Sequence, residues 1–196
     1  MIKIGLTGSI GMGKTTTAQM FRDAGYLVFD ADAAVHSLYS KGGAAVPLIR
    51  AVFPDAIKDD AIDRAILGQH MRRDPLNLTV LESFIHPMVA ELRRDFILKA
   101  QQEGQSIIIF DVPLLFETGG DSHLDKIIVV TAPHSIQRAR VMAREGMTKD
   151  LFEKLLARQM PDKEKRARAD YLIFTDKGLD SAREQVHKIL TKIKAA

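Results

Sequence analysis

Apolar residues fall into two kinds of stretch along this chain. Short, continuous, Ile- and Val-rich runs occur at Ile2–Thr7, Leu27–Asp30, Ile107–Asp111, Ile127–Thr131 and Tyr171–Phe174. Runs this short that do not alternate predict parallel strands covered on both faces. Between them, apolar positions recur at helical spacing. Strands alternating with helices predict a three-layer α/β fold: a doubly wound, parallel five-stranded sheet with helices on both faces. Ligands in such sheets bind beyond the C-terminal ends of the strands.

The first helix is expected from Lys14 to about Ala24, with Gly25 as its stop. Ala33 to Glu103 shows no convincing strand and reads as several helices, broken at Gly42-Gly43 and Phe53-Pro54. Met88, Leu92, Phe96 and Ala100 repeat at helical spacing, and Gly104 ends that helix. About 70 residues is far more than the ~10–12 a minimal crossover needs. Residues 33–103 are therefore expected to be an inserted helical subdomain that receives a second substrate. A second excursion, 137–168, reads as a helical lid. That leaves 1–32, 104–136 and 169–196 as the nucleotide-binding core of a single domain.

Composition changes this picture little. The chain has 196 residues, 46% hydrophobic and 27% charged, ordinary for a globular protein with a core of useful size. It has no cysteine, which excludes disulfides and thiolate chemistry. The longest apolar run, Ile107 to Phe116, is interrupted by Asp111 and Pro113 and is too short to span a bilayer. With the first strand beginning at Ile2, no room is left for a signal peptide, so a cytoplasmic protein is expected. Net charge is +3, but Gln137 to Arg168 holds ten Lys/Arg against five Asp/Glu, +5, leaving −2 elsewhere. Such a strip suits phosphate neutralisation at a closing site. Its bland alternative is a solvated helical face. No basic–aromatic interleaving points to nucleic acid. Nothing in the sequence demands an oligomer, and a monomer is favoured.

The candidate chemistry centres on Gly8-Ser9-Ile10-Gly11-Met12-Gly13-Lys14-Thr15, which reads G-x-x-x-x-G-K-[ST] between a strand and a helix. That is a phosphate-binding loop in the context it requires. Its amides, at Gly11, Met12 and Gly13, wrap a polyphosphate at a helix N-terminus. The glycines let the backbone turn and approach phosphate with no Cβ in the way. Lys14 reaches the outer phosphates, the Thr15 hydroxyl ligates Mg²⁺, and Thr16 adds a contact in the first turn. ATP and Mg²⁺ are the expected co-substrate and ion.

Further features lie at strand ends or in the insertions. In Asp30-Ala31-Asp32, one carboxylate is expected to cap the next helix and the other, Asp32, to act on an acceptor hydroxyl as base. Asp111 ends an apolar strand, a pattern that holds Mg²⁺ directly or through water. Pro113 stops that strand, and Leu114, Leu115 and Phe116 either meet substrate or are simply core. His86, before Pro87, and Arg64 are candidate substrate contacts; a structural histidine and a surface salt bridge are their bland alternatives. Arg140 and Arg144, spaced i, i+4, would share one helical face and clamp a transferring phosphoryl group. Met147 and Thr148 then read as a helix-to-helix turn.

Taken in order, the G-x-I-G-x-G-K-[ST]-T loop, Asp30-Ala31-Asp32, the segment around Arg64, His86-Pro87, Pro113-Leu114-Leu115-Phe116-Glu117, the lid arginines and Gln159…Lys165…Ala169-Asp170 resemble the dephospho-CoA kinase family. The resemblance runs from Ile2 to about Gly178. It implies ATP-dependent phosphorylation of the ribose 3′-hydroxyl of dephospho-CoA, the last step of coenzyme A synthesis. It matches Asp32 to the catalytic acid, Lys14 to the phosphate-binding lysine, Arg140 to the lid arginine and the insertion to the CoA-recognising region. Ser9 and Met12 depart from the residues common in that family. So does Ile173-Phe174-Thr175-Asp176-Lys177-Gly178, where no base contact is assigned. Another small-molecule kinase of the same loop class and a nucleotide-gated binding module are the competing readings. Paired acids at Asp30 and Asp32 favour an acceptor hydroxyl over the second.

Overall fold

The computed structural model describes residues 1–195. They form two compact units, residues 1–29 with 104–195, and Asp30–Glu103.

The first unit holds a five-stranded sheet in the order β2-β5-β1-β6-β7. Its strands are β1 (Ile2–Thr7), β2 (Leu27–Asp30), β5 (Ile107–Asp111), β6 (Lys126–Thr131) and β7 (Tyr171–Phe174). The pairs β1–β5, β1–β6 and β6–β7 are parallel, with Ile4 opposite Ile109 and Leu6 opposite Ile128. These are the runs expected from the sequence, with β6 gaining Lys126. The chain winds to one side of β1 and then to the other, so the loop after β1 lies at the topological switch point. On one face Ile4, Leu6, Ile107, Ile109, Ile128, Val130 and Ile173 pack beneath α1 (Lys14–Asp23) and α9 (Leu179–Ala195). A fully buried side chain of this size contributes about 1.5–3 kcal/mol. On the other face Gly5 admits Leu124 and Leu115, whose side-chain carbons would lie 2.5 and 2.9 Å from any Cβ there.

Three helices follow β6 in this unit: α6 (His134–Met142), α7 (Lys149–Ala157) and α8 (Asp162–Ala167). Thr148 turns the chain between the first two, its hydroxyl accepting from Leu151 N–H at 3.2 Å.

The second unit contains α2 (Ala31–Tyr39), α3 (Val46–Val52), α4 (Arg64–Arg73) and α5 (Pro75–Gln102) around a separate apolar cluster that includes Leu38, Ile49, Phe53, Leu67 and Ile85. Breaks fall at Gly42-Gly43 and Phe53-Pro54, as the sequence predicts. Pro87 does not end α5, which continues through it to Gln102. The expectation of no strand is corrected: β3 (Ile57–Lys58) and β4 (Ala61–Ile62) form a small antiparallel hairpin. Its turn residues, Asp59 and Asp60, both adopt positive φ, 51° and 61°. That is the geometry of a two-residue hairpin turn, which Asp tolerates. Strands of two residues carry no readable period.

Candidate active site

The loop from Gly8 to Thr15 leaves β1 and opens α1, with Gly13 at the helix N-cap and left-handed. Thr15 and Thr16 are exposed in the first turn, while Gly11 and Met12 are buried. The glycines serve a purpose the motif did not announce. A Cβ on Gly8 would lie 2.6 Å from Val130 O, one on Gly11 2.5 Å from Val141 Cγ2, and one on Gly13 3.2 Å from Thr175. They admit neighbouring protein on the loop's outer side as well as bending the chain. Met12 is 3% exposed, and its Sδ accepts from Ala132 N–H at 3.1 Å. Only its backbone is left for a phosphate.

Lys14 Nζ donates to Asp111 Oδ1 at 2.5 Å. Asp111, the last residue of β5, is 2% exposed. The lysine expected on the nucleotide and the acid expected on the metal are thus partners. A cation held only by a carboxylate is ready to exchange that contact for phosphate. The Thr15 hydroxyl and the Asp111 carboxylate are hard oxygen donors. No group of three or more His, Asp or Glu able to hold a metal occurs among the described residues. This set suits Mg²⁺, which takes one or two protein oxygens and fills its shell from phosphates and water.

Beyond β5 the chain turns at Pro113, as expected. Leu115 and Phe116 are buried, at 1% and 6% exposure, while Leu114 is 39% exposed. The bland reading holds for the first two, and Leu114 alone is left to meet a substrate. Pro113 O accepts from Thr7 Oγ1 at 3.1 Å and from Lys165 Nζ at 3.3 Å. Lys165, on α8, is fully buried and pairs with Glu117 Oε1 at 2.8 Å. Met160 N–H donates to the same oxygen at 2.7 Å. Burial alone raises the Glu117 carboxyl, but the Lys165 ammonium and the Met160 amide outweigh it and hold the group below its ordinary value.

The arginine pair needs correction. Arg140 Nη1 and Nη2 donate to Thr175 Oγ1 and O at 2.8 and 2.7 Å. Arg144 lies outside α6, which ends at Met142; its N–H turns back to Val141 O at 3.1 Å. Helical spacing therefore does not set the two guanidinium groups on one face.

In the second unit Asp30 Oδ1 accepts from Ala33 N–H at 2.9 Å, which caps α2. Asp32 sits exposed in the first turn of that helix. The division of roles between the two acids thus has its capping half in the structure. Arg64 opens α4 after the Asp63 cap. Its Nη2 lies 3.3 Å from His36 Nδ1, and its guanidinium carbon is 5.4 Å from the centre of the Tyr39 ring. It stacks on an aromatic ring rather than pairing with a carboxylate. Burial raises the Tyr39 phenol against the pull of Arg64. His86 is exposed on α5 beside Pro87.

Sequence reasoning missed Gln137 and Thr175, which hold the loop from outside. Gln137 stood only as the first residue of the basic strip. Thr175 lies in the segment left without a role. Gln159 was noted in the motif series, and its Oε1 accepts from Ile10 N–H at 3.0 Å.

The family model described as dephospho-CoA kinase matches residues 2–181. A dephospho-CoA kinase of Ruegeria pomeroyi is 53% identical over 98% of this chain and 96% of its own. One from Agrobacterium fabrum is 48% identical over 100% of both chains. A crystal structure from Thermus thermophilus superposes with a TM-score of 0.83 at 32% identity, covering 97% of this chain and 96% of that one.

Proposed function

Because the chain belongs to the dephospho-CoA kinase family, it is a kinase acting in the last step of coenzyme A synthesis, and we propose that it moves the γ-phosphoryl group of ATP onto the ribose 3′-hydroxyl of dephospho-CoA through the residues around Gly8–Thr15. The observation that carries the site assignment is Lys14 on the buried Asp111 at the mouth of an amide-lined loop.

Phosphoryl transfer passes through a loose transition state, so positioning and electrostatics dominate. The amides of Gly11, Met12 and Gly13 hold the phosphates of ATP. Lys14 leaves Asp111 for the outer phosphates as the nucleotide enters. Thr15 and Asp111 would hold Mg²⁺, which would supply neutralisation of phosphate charge. Thr16 adds a contact from the first turn. Asp32 orients the 3′-hydroxyl and accepts its proton. Arg140 meets the transferring group, and Arg144 reaches the nucleotide from the exposed turn after α6. Arg64, His86, Pro113 and Leu114 contact dephospho-CoA. Residues 33–103 are the acceptor-recognising insertion, and 137–168 act as the lid that excludes water. No helix among the described residues is long and apolar enough to cross a membrane. We place the reaction in the cytoplasm, with a monomer as the working unit.

Incubation with ATP and dephospho-CoA is expected to give ADP and a product heavier by one phosphate, located at the 3′ position by ³¹P–¹H correlation. No such product, with phosphate appearing instead on nucleosides or in water, would overturn the reading. Asp32→Asn is expected to lower turnover by roughly 10²–10⁴ while ATP binding persists. Unchanged turnover removes Asp32 from the chemistry.

A further inference from the structure

Side chains outside the Gly8–Thr15 loop grip two of its carbonyl groups. Gln137 Nε2 donates to Ile10 O at 2.8 Å, and Thr175 Oγ1 donates to Met12 O at 2.8 Å. A trans peptide unit points its C=O and the N–H that follows in opposite directions, and no peptide among the described residues is cis. Drawing the Ile10 carbonyl outward therefore turns the Gly11 amide inward. Drawing the Met12 carbonyl outward does the same for Gly13. Among the described residues neither of these amides has a protein acceptor. Gly11 and Gly13 have φ of 78° and 96°. Glycine reaches both signs of φ with similar ease, so nothing intrinsic to these residues keeps their peptides in this orientation.

The gripping groups are themselves fixed. Thr175 Oγ1 accepts from Arg140 Nη1 at 2.8 Å, which leaves its single hydrogen for Met12 O. Gln137 is 3% exposed, and its amide must present nitrogen to a carbonyl. Gln159 takes the Ile10 N–H, so the same peptide neighbourhood is held on two sides. A cavity of about 270 Å³ is bordered by Ser9, Met12, Gln137 and Gln159, which leaves these side chains room to move.

We propose that Gln137 and Thr175 are positioning residues that aim the Gly11 and Gly13 amides at the phosphates of the nucleotide. The inference rests on the reading of this loop as the ATP site. With a grip removed, the peptide can turn over and offer a carbonyl oxygen, which repels phosphate where an amide binds it. Thr175 does this for the cradle and for Arg140 with one hydroxyl.

The test uses inorganic tripolyphosphate, which probes the cradle without a base or an acceptor. Affinity is measured by calorimetry, and the Gly11 and Gly13 amides are followed by ¹⁵N–¹H correlation. Thr175→Val keeps the shape and removes the hydroxyl. It is expected to weaken tripolyphosphate about tenfold, the equivalent of one hydrogen bond of typical worth, and to abolish the downfield shift of Gly13. KM for dephospho-CoA stays at its wild-type value, and Thr175→Ser restores both readouts. Gln137→Glu, isosteric but acceptor-only when ionised, is expected to abolish the Gly11 shift. Wild-type affinity and shifts in Thr175→Val and Gln137→Glu overturn the proposal, as does failure of Thr175→Ser to restore binding. If Thr175→Val does not fold, the Gly11 shift in Gln137→Glu decides alone. A wild-type protein showing these grip-dependent shifts yet never phosphorylating dephospho-CoA sinks the proposed function and leaves this inference standing.

Discussion

Two lysine–carboxylate pairs flank the segment that follows β5, and they differ in which partner is sealed. In Lys14–Asp111, at 2.5 Å, the lysine side chain is 15% exposed and the acid 3%. In Lys165–Glu117, at 2.8 Å, the lysine is 0% exposed and the acid 17%. Lys165 also donates to Pro113 O, so its ammonium is shared between two acceptors of the same loop. Among the described residues Lys14 has the one carboxylate contact and keeps partial exposure. The same ion-pair chemistry thus serves one site as an exchangeable counter-ion and the other as a fixed brace. Access to the ammonium decides which, because a fully buried ammonium gives up its partner only at several kcal/mol, whereas Lys14 keeps partial exposure.

The largest effect that sharpens this contrast is Lys165→Met. It takes the cation from Glu117, where one oxygen already lacks a partner, and is expected to remove about 3–5 kcal/mol of stability. Urea melts read this directly. A loss below about 1 kcal/mol breaks the brace interpretation, since exposed pairs contribute that little. Lys14→Met comes next and should act on rate. Turnover is expected to fall by roughly 10²–10³, as for loss of one transition-state donor. The substitution also takes the cation from Asp111, whose side chain is 3% exposed, so some stability is expected to go with the rate. Turnover near wild type in Lys14→Met, or an equal loss of turnover in folded Lys165→Met, erases the distinction.

The smallest effect is in pH. The folded-state pKa of Glu117 is depressed, so its contribution is fully present above its ordinary value of about 4.5. It is lost as pH falls through the lower, folded value. The stability gap between wild type and Glu117→Gln should therefore shrink on acidification below about 4.5. A gap that stays constant through that range removes the ionised carboxylate from the brace.

Much of the sheet was legible because buried parallel strands write themselves as continuous apolar runs. The runs ending at Thr7, Asp30, Asp111 and Phe174 each stop where a strand stops. The phosphate loop was legible because its chemistry is local, eight residues in a row. What stayed hidden depends on partners distant in sequence. Thr175 and Met12 are separated by 163 positions, Gln137 and Ile10 by 127, and neither bond leaves a periodic trace. The Lys165–Glu117 pair was visible as two separate motif residues but not as a contact. Arg144 shows the opposite failure, a spacing rule applied past the end of its helix. The Asp59-Asp60 turn shows a third, since a hairpin this short offers turn chemistry and little else.

The central strand of the sheet is the first one made. β1 lies between β5 and β6, so its backbone groups find no neighbour until the chain has been synthesised past Ile107. With synthesis proceeding from the N-terminus, the apolar segment Ile2–Thr7 must wait through the whole of Asp30–Glu103, a compact unit of its own. Nascent chains thus carry β1 unpaired until Ile107–Asp111 has been made, past the midpoint of the 196 residues.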